Sequence, residues 1–334
     1  MSLRTTVCRR GNWPLLVALL LTAPNYAGGL NGQEKAPPAE NNAEHDNVIF
    51  LGKPDGSEMK PFVEIADYRA QGSPTWSQDG KLVAFDAWRP RLGETNSDSK
   101  IVVCNADGSN PRVLGDGAMP SFSPRHNRIA FSRYSPNYGV WVMSSSGPET
   151  ELVLLDEEGW CAEWSPDGKQ IVYAAHTGGV ANMVIFDLVE GEKILLFQAG
   201  ASPYSSLFWN FSWSPDGKQI VAKGQRTNGG KVEVVVIDAR GAKHGHIVRL
   251  EAEIPPNFGW TPDSKSILFA QKTADRGNRL QLYTMNAATK DPPQLLPGQD
   301  PLRANASGAF SPDGKQLLVV SRKPLPAKKA APKK

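Results

Sequence analysis

The stretch Trp213-Ser214-Pro215-Asp216-Gly217-Lys218-Gln219-Ile220 decides how this chain folds, because it is written six times. Its other copies begin at Trp76, Phe122, Trp164, Trp260 and Phe310, so the steps between lead aromatics are 46, 42, 49, 47 and 50 residues. A period of that length denotes a row of like supersecondary units. Within each copy, Pro presets φ for a type I turn and Gly accepts the left-handed region that follows. A short strand ends at the aromatic and an apolar run follows the turn, as in Gln170-Ile171-Val172-Tyr173. Each copy therefore reads as a β-hairpin. The copy at Phe122 lacks the glycine, and Asn127 is the residue there best suited to a left-handed conformation.

Four strands fit each period. In the first full repeat they are 74–77, 81–86, 100–105 and 111–114; in the third they are 161–165, 170–175, 182–187 and 193–197. The middle strands are apolar on consecutive residues, as in Val232 to Ile237. An antiparallel sheet with one wet face alternates instead, so both faces of these sheets are covered. The expected fold is all-β, a six-bladed β-propeller of four-stranded antiparallel blades with the lead aromatics wedged between neighbours. The last hairpin, 309–321, supplies only two strands. The missing pair stands at 47–51 and 60–65, so the N-terminal strands are expected to join the C-terminal hairpin and close the ring, removing exposed edges.

Residues 1–27 read as a secretory signal, with Arg4, Arg9 and Arg10 before the apolar run Leu15 to Leu21, and Ala23 or Ala27 at a small-residue cleavage site. Residues 28–46 form a polar leader and 322–334 a Lys-rich tail, both expected to be disordered; the propeller occupies 47–321. Loss of the three signal arginines takes the formal charge from +3 to about zero. The positive excess then sits in the tail, and the body is slightly acidic. Nucleic-acid binding, which needs a basic stripe on the folded body, is not expected.

The phrase, together with the third strand Leu282-Tyr283-Thr284-Met285-Asn286, resembles the TolB-type propeller with its WD-like repeat, over about 47–321. That resemblance implies a six-bladed propeller in the periplasm or outside the cell and a binding role in the cell envelope. The separate α/β domain that precedes the propeller in TolB has no counterpart expected in the leader. The partner implied is a protein or peptide, with no membrane insertion after signal cleavage, and the chain is expected to be a monomer.

The long, uneven loops between second and third strands, and those between blades, share one face. They carry Trp88, Arg89, Arg91, Arg133, Tyr134, Tyr138, His176, Tyr204, Trp209, Arg226, Arg276 and Arg303. Aromatic residues with arginine supply contact area and directed donors, the residue types enriched at binding hot spots. These are the candidate binding residues; the competing role is packing of loops and channel. No catalytic set, cofactor or metal site is expected. His244 and His246 make a His-x-His pair with no third ligand in view. The nucleophile-elbow pattern Gly-x-Ser-x-Gly is missing, and a peptidase of the prolyl-oligopeptidase kind needs a further α/β-hydrolase domain. The alternative function is a hydrolase or lyase acting on a saccharide or peptide at the channel mouth. Cys104 and Cys161 fall in different blades and are expected to be buried thiols.

Overall fold

The computed structural model describes residues 46–89, 98–147, 151–177, 180–198, 202–227, 229–252 and 254–323. The predicted signal, nearly all of the leader and the tail from 324 on lie outside the described residues.

Six antiparallel sheets follow one another along the chain. Blade one runs Ala70–Trp76, Leu82–Trp88, Lys100–Asn105, Arg112–Asp116, and blade two Ala118–Phe122, Arg128–Arg133, Gly139–Ser144, Val153–Asp156. Blade three runs Gly159–Trp164, Gln170–Thr177, Val180–Asp187, Glu192–Leu195. In blade four the inner strand is split into Tyr204–Leu207 and Ser212–Trp213, both paired with Gln219–Arg226, and Val232–Asp238 and His246–Glu251 complete the sheet. Blade five is Phe258–Trp260, Ser266–Thr273, Arg279–Asn286, Gln294–Leu295. Blade six takes Ala304–Phe310 and Leu317–Arg322 from the C-terminal side and Val48–Gly52 and Lys60–Pro61 from the N-terminal side. The seam pairs Val48 with Ser321 and Gly52 with Leu317. The first strand of each blade touches that of the next, and Ala304–Phe310 meets Ala70–Trp76, so the blades close into a ring.

The apolar core is not central. It is divided into six clusters, each between two neighbouring blades. The consecutive apolar residues of the middle strands are fully buried, as at Val83, Ala84 and Phe85. Each faces one neighbour or the other, which is why the run does not alternate. The lead aromatics Trp76, Phe122, Trp164, Trp213 and Trp260 lie within five of these clusters, and Phe310 packs against the sixth.

The phrase turns carry more order than a type I turn alone. The hydroxyls of Ser77, Ser165, Ser214, Thr261 and Ser311 each donate to the Asp two residues on, at 2.7 Å. The same carboxylates accept from the backbone N–H of the following Lys. Gly80, Gly168, Gly217 and Gly314 take positive φ, as does Ser264 in the fifth copy. Asn127 does not: in the second copy neither it nor His126 has positive φ, and the turn closes with the Arg128 N–H donating to His126 O. With Arg at the Asp position, that copy has no carboxylate to gather the loop.

Candidate functional site

The inner strands of all six blades surround a central cavity of about 670 Å³. Its wall begins at Gly72, Ser73, Met119, Cys161, Asn210, Asn257 and Ala306, and it reaches the phrase turns at Pro124, Pro166, Pro215, Pro262 and Pro312. Three residues before the lead aromatic, the inner strands of four blades turn aside. Ser73, Met119, Cys161 and Asn210 all have positive φ, between 47° and 64°. Pairing with the second strand slips at this level in blades one, two and three. Such bulges re-aim side chains and free backbone groups from the ladder.

The freed groups join blade to blade. The Met119 N–H donates to Asp86 Oδ2 at 3.1 Å, and the Cys161 N–H to Ser132 Oγ at 2.6 Å. The Asn210 N–H donates to Cys161 Sγ at 3.3 Å, Asn210 Nδ2 to Asn257 Oδ1, and Asn257 Nδ2 to Ala306 O at 3.4 Å. The ring closes where Trp76 Nε1 donates to Ala309 O at 3.1 Å. Every blade interface is thus crossed by a hydrogen bond near the lumen.

One residue before the lead aromatic stand Thr75, Ser121, Glu163, Ser212, Gly259 and Ala309. Ser121 Oγ accepts the N–H of Trp164, the lead aromatic of the next blade, at 3.0 Å. Glu163 performs the same service one blade on, accepting from the Trp213 N–H at 3.3 Å and from Ser212 Oγ at 3.2 Å. Burial pushes the Glu163 carboxyl up to about 8, against the lowering effect of those two hydrogen bonds. Behind Gly72, Asp86 is likewise pushed up to about 6 by burial, and its Oδ1 has no hydrogen-bond partner. The Cys161 thiol is raised to about 12, first by burial and then by the Glu163 and Asp86 charges. Both Cys104 and Cys161 are free and buried.

The loop residues anticipated from sequence fall into separate settings. Tyr134 and Tyr138 pack on Trp160 with ring centroids at 4.9 and 5.4 Å, and Arg133 sits over Trp141 at 5.4 Å. Tyr204 is buried and donates its hydroxyl to Glu233 at 3.0 Å, and Arg226 donates to the same carboxylate at 2.7 Å. Arg276 binds Gln281 and the Gln299 carbonyl, and Arg303 covers the Phe50 ring at 4.3 Å. Arg89 lies over Tyr68 at 4.9 Å and Trp88 is half-buried beside Gly72. Trp209 and Tyr138 are the large exposed aromatics of the set, at 47% and 44%. Arg91 and the His176 side chain lie outside the described residues. Sequence reading passed over Glu163, Asp86 and the Asn210–Asn257 pair. Setting the repeats beneath one another at the lead aromatic would have exposed Glu163, the sole ionisable residue in its column.

The TolB beta propeller domain family matches residues 128–328. The chain belongs to the TolB β-propeller family. Among solved structures it is similar to TolB from Acinetobacter baumannii, at 18% identity and a TM-score of 0.57, over 83% of this chain and 63% of that one. It therefore spans less than two thirds of that TolB. A protein described as a putative TolB from Agrobacterium tumefaciens matches at 17% identity and a TM-score of 0.62, over 84% of this chain and 99% of that one. A chain from a nidogen/laminin complex follows at 11% identity and 0.53, over 76% of this chain and all of that one. At these identities the likeness is one of fold. No curated protein matches the chain. Among the described residues, no helix is long and apolar enough to cross a membrane.

Proposed function

We propose that this TolB-family propeller is an exported, non-enzymatic binding module that receives a segment of a protein or peptide partner in the periplasm or cell envelope. The observation that carries the reading is the central cavity. Its volume lies within the range of about 300–1,000 Å³ typical of ligand pockets. A rim of five prolines offers apolar contact, while Ser73, Asn210, Asn257 and Ser212 offer hydrogen bonds further in. That combination suits an extended chain segment, which brings both apolar side chains and backbone polar groups. The exposed aromatics Tyr138 and Trp209 on the long-loop face offer a second area for a folded partner to rest on. Among the described residues, Glu163 and Cys161 are the ionisable side chains of the cavity wall. Burial raises both, so near neutral pH Cys161 is not a thiolate nucleophile, which supports binding more than covalent hydrolysis at that residue.

In-cell cross-linking separates the two faces. A Pro215→Arg, Pro262→Arg variant narrows the rim, and a Trp88→Ala, Trp209→Ala variant alters the loop face. Loss of the captured partner from the rim variant is the expected result. Unchanged capture by the rim variant, with loss from the loop variant, would move the site to the loop face.

A further inference from the structure

We infer that Glu163 makes the channel a receptor for a primary ammonium group, carried by a lysine side chain or an N-terminus of a bound peptide segment, and that binding releases a proton from Glu163. The inference rests on the channel being the binding site.

Three observations lead to it. First, the blade-to-blade stitch at this position does not need a carboxyl, since Ser121 accepts the Trp164 N–H with a hydroxyl one blade earlier. Glu163 brings a second oxygen, which accepts from Ser212 Oγ, and a latent charge that neither hydrogen bond requires. Second, among the described residues the lumen holds no cation to match it. Its wall, among the described residues, contains no Lys, Arg or His. Bonded to Glu163 from blade four are Ser212 and Trp213, and Ser121 of blade two lines the same wall, none charged; the other ionisable groups of the neighbourhood are Cys161 on its own strand and Asp86 of blade one. Asp86 is buried, its Oδ1 unpartnered, and that oxygen fills the space where a side chain at Gly72 would stand, 2.9 Å from a Cβ placed there. Third, Ser73, Asn210 and Asn257 line the same cavity and bring polar side chains that can meet the backbone groups of a peptide. An ammonium supplies the missing positive charge, and the backbone groups of the peptide that carries it meet the polar side chains of the wall. A bare inorganic cation supplies only the first.

The proton balance follows directly. In the empty channel near neutral pH the carboxyl holds its proton, because its value lies at about 8. A bound ammonium stabilises the carboxylate, so the proton leaves to solvent and an ion pair remains. Affinity for the ammonium therefore rises with pH by up to about tenfold per unit below about 8; above it the affinity for a lysine levels off, whereas that for an N-terminus, which itself loses its proton at about 8, falls again.

The test uses the folded chain and three pentapeptide amides: one with a free N-terminus, one N-acetylated with a central lysine, and one acetylated with no amine. Calorimetry in buffers of different ionisation heat reads both affinity and protons released. The expected result is binding of one or both amine peptides with up to one proton released. In addition, at least about tenfold weaker and pH-independent binding is expected for both Glu163→Gln and Glu163→Ser, the latter keeping the stitch as Ser121 does. The free N-terminus and the lysine arms identify the source of the ammonium. Equal binding of the acetylated, amine-free peptide, or heat and proton release from calcium chloride alone, would overturn the inference. Retained partner capture in cells by Glu163→Gln, with loss from the rim variant, would overturn it while leaving the channel as the binding site. Thermal melts of both Glu163 variants confirm that each is folded.

Discussion

The Asp of the repeated phrase is its most informative single residue once its bonds are visible. In Asp79, Asp263 and Asp313 the carboxyl is held below its usual range, first by the Ser or Thr hydroxyl and then by the Lys N–H. A depressed folded value contributes stability above the unfolded value of 3.8, and that contribution is lost as pH falls through the folded value. Glu163 has the opposite sign. Its value is raised from 4.5 to about 8, so the folded state prefers the neutral acid and loses that advantage as pH rises between the two values. Melting of Glu163→Gln beside the parent from about pH 5 to about pH 8 is expected to show the parent falling behind as the pH rises. A constant gap across that range would mean that the carboxyl is not buried as described. At this scale the sequence was legible in part. Ser, Pro, Asp and Gly declare a turn through local chemistry, whereas nothing local marks Met119 or Cys161 for positive φ. Neither residue type favours that region, and only the strand's passage along the lumen selects it.

The inner strand is the element on which structure and site both depend. Its lead aromatic fills the interface with the preceding blade, and the residues just ahead of it face the channel. Trp213 lies in the cluster between blades three and four, 5% exposed. Trp213→Ala is expected to cost about 3–5 kcal/mol in urea unfolding, as for other buried large-to-small changes. Trp209→Ala, at a residue 47% exposed and four positions earlier, is expected to cost less than about 0.5 kcal/mol. Equal costs would show that the aromatics are not the wedges between blades. The strands themselves were readable because period-two and continuous apolar patterns are local. The split of the blade-four inner strand around residues 208–211 was not, since it answers to Lys223 and Asn210 bonds formed across strands and blades.

For the whole molecule the decisive contact is the seam. Val48–Gly52 completes blade six along Leu317–Ser321, and Gln71 of blade one holds the same strand from the other side. Gln71 Oε1 accepts from the Ile49 N–H at 3.0 Å, its Nε2 donates to Val63 O at 2.9 Å, and its own N–H donates to Asn47 O. Deleting residues 47–65 removes two strands, uncovers the cluster around Leu318, and takes away both hydrogen-bond partners of the Gln71 side chain. The expected outcome is loss of the cooperative melt of the entire propeller, followed by circular dichroism. A deletion variant that melts as sharply as the parent would mean that the ring holds without its clasp.

The order of the amino acids alone settled how many blades there are, where each hairpin turns, and that the two ends must meet. Those features are written in repeated local chemistry, turn residues and apolar runs that act over a few positions. Only the closed ring decided where the cavity lies and what faces it. Glu163, Asp86 and Asn210 are far apart in the chain, and their charge states and partners arise from burial that exists only after six blades have come together.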